Sequence, residues 1–544
     1  MKNFLRKIFS ICSAYEIILA ALFSFCIIFG RNYRIHGSYG IAGGKTSESV
    51  FLFFMLLFLG VIGIKLTDFF LIKLFQSGSY GTLKNLFCRM DANAVFRMLV
   101  VVFLLLWLPY FIIQFPGSSW YDTGSEINQC WGVHPFNGMH PLFQTLFTGA
   151  CIRLGLIFGS ANLGVALYIL IQLVLATFVL AYGIRSLYEI CRSSVLVIGA
   201  VVFWGINPVI PLYLTAMGKD ANWSVAIFLL LTCLVKVSVN SKALVTDKAV
   251  QIFYTLSLIF VCLLRNAGIA VSVIFSVCVI YASKERARRK AVLLTGIAFI
   301  FVAAFQITAS LALNVDRSRN EQENLSTPLL QIARLVNQYP EEVTQEEKEA
   351  IDRIVSYEAM VNAYHPDISD SIKSTYRSDA SSEDKERFWN LYYQYLRKHP
   401  LVFLDAIGAK SVGYFDPLTE SKVKPVFVLG LQTISGNIDV STGISLYNYF
   451  NLEPMASFME AIQKTPILKF VTRCGFWMWI FLFALAESMK HKKGRLTFLP
   501  AVIFAAGLTA TPVNAYFRYS LPLVFVAPLY IAILYTFKTR QETE

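Results

Sequence analysis

Asp122, Glu126, His134 and His140 stand in SSWYDTGSEINQCWGVHPFNGMHPLFQTLF, residues 118–147, between two strongly apolar stretches. A positioned carboxylate can take the proton of an attacking hydroxyl, and such a general base contributes about 10²–10⁴-fold to a rate. Three cations occupy similar surroundings further on. Lys219 adjoins Asp220 in YLTAMGKDANWSV, Arg265 lies in CLLRNAGIA, and Arg518 adjoins Tyr519 in NAYFRYSLP. Guanidinium forks match phosphate oxygens in pairs. An ionisable side chain at the edge of an apolar segment is a functional candidate by default. Plainer readings stand beside these. Lys219 can pair with Asp220 or reach toward water, the histidines can bond backbone carbonyls, and Glu126 can be a solvated loop acid. Phe-rich stripes read as packing.

The elements that must position these groups follow from composition. The chain has 544 residues, 56% hydrophobic and 15% charged, where soluble proteins hold roughly 25% charged. Apolar runs near the ~20 residues needed to cross a bilayer recur along it. The fold class expected is an all-α polytopic membrane protein with about twelve transmembrane helices, at 13–30, 50–73, 97–114, 162–184, 194–210, 221–237, 249–264, 267–283, 291–313, 468–487, 496–513 and 519–537. MKNFLRK and the apolar stretch after it read as a retained first helix. Residues 141–158 are apolar but short, with Arg153 near the middle. A cation at the bilayer centre costs at least ~2.5 kcal/mol, whereas an interfacial helix lets Arg reach the headgroups. Residues 115–160 therefore read as one structured loop with interfacial helices. The prolines at 135 and 141 fix turns and start helices.

Basic residues set the orientation. Lys2, Arg6, Lys7, Lys84, Arg89, Arg185, Arg192, Lys242, Lys248, KERARRK at 284–290, KHKKGR at 490–495 and KTR at 538–540 fall in one set of loops. Arg31, Arg34 and Lys45 are exceptions. Both termini are then cytoplasmic, and 115–160 and 314–466 are extracytoplasmic. The chain divides into 1–313, a transmembrane region carrying the catalytic loop; 314–466, a mainly helical external domain; and 467–544, the C-terminal transmembrane helices.

The region 314–466 carries 15 lysines and arginines against 22 acids, within a chain of net charge +13. The basic excess is spread over many loops. It suits anionic lipid and forms no nucleic-acid patch. Apolar residues at helical spacing mark TQEEKEAIDRIVSYEAMVNAY and SSEDKERFWNLYYQYLRKHPLVFLDAIGAK, and SSED reads as a helix start. Most of the ten cysteines, such as Cys26, Cys233, Cys262 and Cys278, lie in apolar runs, and 314–466 has none. This argues against a disulfide framework or a cage of paired cysteines. P-loop, dinucleotide, HExxH and CxxC motifs are absent. GIAGGK at 40–45 lacks P-loop spacing and reads as a flexible loop.

PGSSWYDT, GMHPLFQTLFTGACIRLGLIFG, NPVIPLYLTAMGKD, LLRNAG and FRYSLP, in that order, resemble the GT-C superfamily of polytopic glycosyltransferases that use polyprenyl-phosphate sugar donors. The order is similar to that of a bacterial arabinosyl- or mannosyl-transferase-like branch, well over 97–320 and loosely over the last three spans. The resemblance implies transfer of a sugar from a polyprenyl-phosphate donor to a glycan or lipid acceptor. It implies Asp122 as catalytic base. In such a reaction Arg265 first, then Arg518 and Lys219, would face the phosphate, His134 and His140 would position acceptor or phosphate, and Asp220 and Tyr519 beside these cations complete the expected substrate-binding set. Such families often have two adjacent acids. Thr123 follows Asp122 here, so a divalent metal is left open; Glu126 with Asp122 would hold it if one is present.

Two other classes compete. A transporter or lipid flippase needs polar groups near the bilayer midplane and often has repeated halves; here the polar clusters fall at span ends, and no half-to-half symmetry is visible. A non-catalytic cell-envelope assembly subunit would act through the external domain alone.

Overall fold

A computed structural model describes residues 13–38, 46–76, 87, 90–316, 318–420, 430–489 and 495–541. The basic residues at 2–7, 84, 89 and 490–493 and the glycine-rich 40–45 lie outside these residues. The described chain is mainly helical, with almost no strand, in keeping with its apolar periodicity. The principal helices are α1 Ala14–His36, α2 Thr46–Gln76, α3 Ala92–Ile113, α4 Tyr121–Cys130, α5 Leu142–Ile157, α6 Ala161–Cys191, α7 Lys219–Val239, α8 Lys248–Leu264, α9 Gly268–Ala282, α10 Glu285–Ala312, α11 Cys474–Ser488, α12 Arg495–Leu508 and α13 Phe517–Gln541.

Each of the twelve expected stretches holds a helix. Among the described residues, seven are long and apolar enough to cross a membrane: α1, α2, α3, α6, α7, α10 and α13. The other five are the helical run Ser194–Ile206, α8, α9, α11 and α12, of which α8 is longest at 17 residues. A helix rises ~1.5 Å per residue, so α8 reaches about 25 Å, short of a hydrocarbon core of ~30 Å. Hydropathy marks these segments but not where each helix stops. Between α8 and α9 the chain turns at Arg265, whose backbone is extended. Gly268 then crosses so close to the Val261 carbonyl that a side chain there would overlap it.

The centre is built on α7 and α13. Phe228, Leu230, Leu231, Val524 and Phe525 are all buried. By contrast α2, α3 and α10 present Phe51, Phe54, Leu105 and Ile300 outward. A helix apolar on every side is buried in protein or faces lipid, and these two sets divide accordingly. Indole N–H groups in the centre find backbone acceptors: Trp107 Nε1 donates to Trp204 O at 3.0 Å and Trp204 Nε1 to Phe525 O at 3.1 Å. The 141–158 segment is helical, as expected. Its Arg153 is exposed and reaches back along the surface to α4, donating from Nη2 to Cys130 O at 2.7 Å over the Trp131 ring. It thereby answers a carbonyl at the C-terminus of α4.

The described residues between α10 and α11 form a cap. TQEEKEAIDRIVSYEAMVNAY makes the helices Gln345–Asp352 and Tyr357–Asn362, and SSEDK… makes Ser382–Lys398 and Pro400–Ser411. Ser381 caps the third of these in a reciprocal box with Asp384, the pairing its spacing predicts. The cap has two parts. Leu329, Ile332, Leu335, Ile351, Phe388 and Phe403 share a core of their own. Tyr414, Leu431, Ile434, Leu446, Met455 and Met459 join the main core of the bundle.

Polar contacts tie the cap to the bundle at several places, among them the following. Asn448 Nδ2 donates to Gln114 O at 2.7 Å and Gly117 O at 2.6 Å. Asp316 N donates to Phe136 O at 2.7 Å. Asn514, just before α13, donates from Nδ2 to Asp367 Oδ1 at 2.8 Å and accepts from Gly413 N at 2.9 Å. At the end of α1, Tyr33 OH donates to Asp405 Oδ1 at 2.6 Å, and Arg334 pairs with the same buried carboxylate.

Candidate functional site

A two-residue parallel pairing sets the geometry. β1, Ser118–Ser119, lies beside β2, Ala216–Met217, with Ser118 opposite Ala216. Each strand leads within three residues into a helix, β1 into α4 and β2 into α7. The pairing is locked by Gln172 Nε2, which donates to Leu214 O at 2.8 Å and Ala216 O at 3.0 Å, and by Trp120 stacked on Tyr213 at 5.2 Å. Asp122 therefore enters the first turn of α4 while Lys219 and Asp220 enter the first turn of α7. Helix N-termini favour acids, which suits both carboxylates.

Five separated segments meet there. Lys219 Nζ is 2.9 Å from Asp122 Oδ2, and Arg518 Nη2 is 3.2 Å from the same oxygen. Arg518 Nε is 3.7 Å from Asp220 Oδ2, and Arg265 Nη1 is 3.1 Å from Asp220 Oδ1. His140 Nδ1 lies 3.2 Å from Lys219 Nζ. An ammonium can only donate, so this nitrogen accepts. The Tyr519 ring lies 5.1 Å from the Arg265 guanidinium and 5.3 Å from that of Arg518. Asp122, His140, Lys219, Asp220, Arg265, Arg518 and Tyr519 thus form one cluster. Arg518 stands in the first turn of its helix, where the dipole disfavours a cation; the two carboxylates offset this.

His134 stays apart. It is exposed, and its charged neighbour is Asp439 of the cap. Glu126 also departs from its expected partner. It is buried one turn beyond Asp122 and points to α5, accepting from Thr148 Oγ1 at 2.7 Å and Gln144 Nε2 at 3.5 Å. Gln144 Nε2 also donates to Tyr168 OH at 3.0 Å, and Asn222 Nδ2 to the same hydroxyl at 3.2 Å. The Asp122–Glu126 pair does not fit a divalent metal. One carboxylate is turned onto two cations and the other onto a neutral network. Among the described residues no three His, Cys, Asp or Glu side chains gather for an ion.

The electrostatics separate the two acids. Burial alone would raise the Asp122 carboxyl, but the Arg518 and Lys219 charges outweigh it and hold it well below the usual carboxylate range. Burial pushes Glu126 up to about 7, against the opposing pull of Lys219 and of the Thr148 bond. The same sequence distance, four residues on one helix face, therefore yields one ionised and one largely protonated acid near pH 6.

A cavity of about 620 Å³ opens beside His140, between the start of α5, the α8–α9 turn and the end of α10. Phe143, Leu263 and Phe305 line it with carbon, while Gln306, Ser310 and Glu323 add polar groups. Asn266, also on its wall, donates to Gly138 O at 3.0 Å and ties the α8–α9 turn to the loop before α5.

Two aromatic shelves escaped the sequence reading. Trp223 lies 5.0 Å from the Arg265 guanidinium, and Tyr516 4.9 Å from that of Arg518. Trp223 is one helical turn after Lys219, so spacing from a candidate cation was the available signal. The buried Gln144–Thr148–Tyr168 network was also unmarked, because its members fall in apolar runs.

The fold and this cluster define an all-α membrane protein with a mixed carboxylate–cation site at the cap end of its bundle. The chain belongs to a family of unknown function, DUF6020, whose model matches residues 131–544. That span holds His140, Lys219, Asp220, Arg265, Arg518 and the whole cap, and begins after Asp122. No curated protein and no solved structure matches the chain.

Proposed function

We propose that this protein is a GT-C-type membrane glycosyltransferase. It moves a sugar from a polyprenyl-phosphate donor to a glycan or lipid acceptor of the cell envelope. The reading places both termini in the cytoplasm, takes all twelve helical stretches as crossings, and puts the cap and the cluster on the extracytoplasmic side. The observation that carries it is the meeting of Asp122 with Lys219 and Arg518 beside a cavity with both apolar and polar walls. A lipid-linked phosphate requires that combination: carbon for the chain, cations for the headgroup and a carboxylate for the acceptor.

In the reaction the acceptor hydroxyl attacks the anomeric carbon. The new C–O bond forms as the bond from that carbon to the phosphate oxygen breaks, and the hydroxyl proton passes to Asp122. The bonding electrons leave with the phosphate, whose charge Lys219, Arg518 and Arg265 neutralise. Phosphate is a stable anion, so no general acid is needed. A single displacement inverts the anomeric configuration. His140 orients Lys219, and Tyr519 supports both guanidinium planes by cation–π contact.

The test is Asp122→Asn assayed in membranes with a polyprenyl-phosphate sugar. Transfer should fall by about 10²-fold or more at equal expression. Undiminished transfer removes Asp122 as the base.

A further inference from the structure

The two carboxylates of the cluster are not equivalent. The Asp220 side chain is 4% exposed and lies between two guanidinium groups, one to each oxygen. The Asp122 side chain is 23% exposed, and one oxygen, Oδ2, meets both of its cations. Asp220 is thus held from the α8–α9 turn and from α13 in the interior, while Asp122 sits at the open edge. Buried Arg518 Nε and Asp220 Oδ1 have no hydrogen bond among the described residues. The clamp therefore has unused bonding capacity in its resting form.

The charges give the consequence. Lys219, Arg265 and Arg518 face Asp122 and Asp220, leaving one positive charge. A lipid-linked sugar phosphodiester carries one negative charge and balances it. Lys219 and Arg518 cannot give their full bonding to a carboxylate and a phosphate at once. The partner that yields is the one nearer solvent, since leaving a buried carboxylate unpaired is far more costly.

We propose that Asp220 is a positioning residue that aims Arg265 and Arg518 at the ligand, whereas Asp122 is an exchangeable partner that the ligand's phosphate displaces from Lys219 and Arg518. This rests on the function proposed above and adds an order of events. Paired with two cations, Asp122 is a weak base at rest. Once phosphate takes those cations, its affinity for a proton returns, so the base is competent only when donor is present.

Two similar substitutions then act in opposite directions. The measurement is binding of decaprenyl phosphate to the full-length protein in nanodiscs at neutral pH and low salt, with decaprenol as the uncharged control. Asp122→Asn should bind decaprenyl phosphate about 5- to 10-fold tighter than wild type, while Asp220→Asn should bind it about tenfold weaker, within the usual range of coupling between two sites. Decaprenol binding should not change in either. Unchanged or weaker binding by Asp122→Asn, or tighter binding by Asp220→Asn, overturns the proposal and leaves the glycosyltransferase reading standing. If wild type and both variants bind decaprenyl phosphate no better than decaprenol, the phosphate-lipid reading itself fails. Should Asp220→Asn not fold, Asp122→Asn decides alone, because absence of a gain is sufficient to reject the exchange.

Discussion

Lys219 Nζ lies 2.9 Å from Asp122 Oδ2, 97 positions away, and not against Asp220, its neighbour in the chain. Successive residues on a helix point in different directions, so adjacent side chains do not face each other. Lys219 is therefore directed at α4 while Asp220 is directed at Arg265 and Arg518. This crossed pairing ties the N-terminus of α7 to α4, to the α8–α9 turn and to α13, and makes the cluster a single unit.

Removing Arg265 tests that unit. Arg265→Ala leaves the buried Asp220 carboxylate with the more distant Arg518 alone. Stripping one partner from a fully buried pair costs roughly 3–5 kcal/mol; because Arg265 is partly exposed, about 2 kcal/mol is expected. Denaturant or thermal unfolding in detergent measures it. Adding Asp220→Asn should restore much of the loss, and a double variant as unstable as the single one rules out the ion pair as the source.

Glu126 carries a pH signature. Its carboxyl rises from an ordinary 4.5 to about 7 in the folded chain. The folded state thus binds this proton more tightly than the unfolded state. Its favourable share is complete below about 4.5, falls as pH rises, and is lost above about 7. At about 1.4 kcal/mol per pH unit, the span corresponds to on the order of 3 kcal/mol. Glu126→Gln keeps the Thr148 contact and cannot ionise, so stability measured between pH 5 and 7 should lose this slope. An unchanged slope would place the titration elsewhere.

Gly164 marks where α5 crosses α6. A Cβ there would stand 2.5 Å from Cys151 O and 2.6 Å from Ile152 Cα. Both are backbone atoms of a helix and cannot turn aside, so α5 must move. Gly164→Ala should destabilise by about 1–3 kcal/mol, as overpacked interiors do, read as a lowered melting temperature. Gly199→Ala is the control, since a Cβ there meets nothing within 4 Å.

The cap should loosen through Arg334. Arg334→Ala leaves the buried Asp405 carboxylate without its guanidinium, a change of roughly 3–5 kcal/mol. Tyr33→Phe removes one hydroxyl bond to the same carboxylate, about 1 kcal/mol. Limited proteolysis of the cap should accelerate strongly in the first variant and slightly in the second. Equal rates in both would show that the Asp405 contact does not hold the cap.

Much of the architecture was legible beforehand because it is written in local pattern. Apolar runs located all twelve helical stretches, and Ser381 with Asp384 announced a helix start that the structure contains. Helix ends were less legible. The five shorter helices stop at turns such as Arg265–Gly268, set by close backbone packing that hydropathy does not register. The cap reads in sequence as one mainly helical domain, and its described residues divide between two cores because Tyr414 and Leu431–Ile434 find bundle helices to pack on while Leu329 and Phe403 find each other.

For the site, residue type and surroundings selected Asp122, Lys219, Arg265 and Arg518, with Asp220 and Tyr519 as their chain neighbours, since an ionisable group at the edge of an apolar segment needs a reason to be there. Sequence by itself determined which charges are present and near which helix end each one falls. Tertiary structure decided the rest: that Asp122 meets Lys219 and Arg518, that Glu126 turns away to Thr148, and that His134 is left outside. Helical and apolar patterns depend on neighbours within a few residues. An ion pair depends on which distant segments share a few ångströms of space, and only the folded chain specifies that.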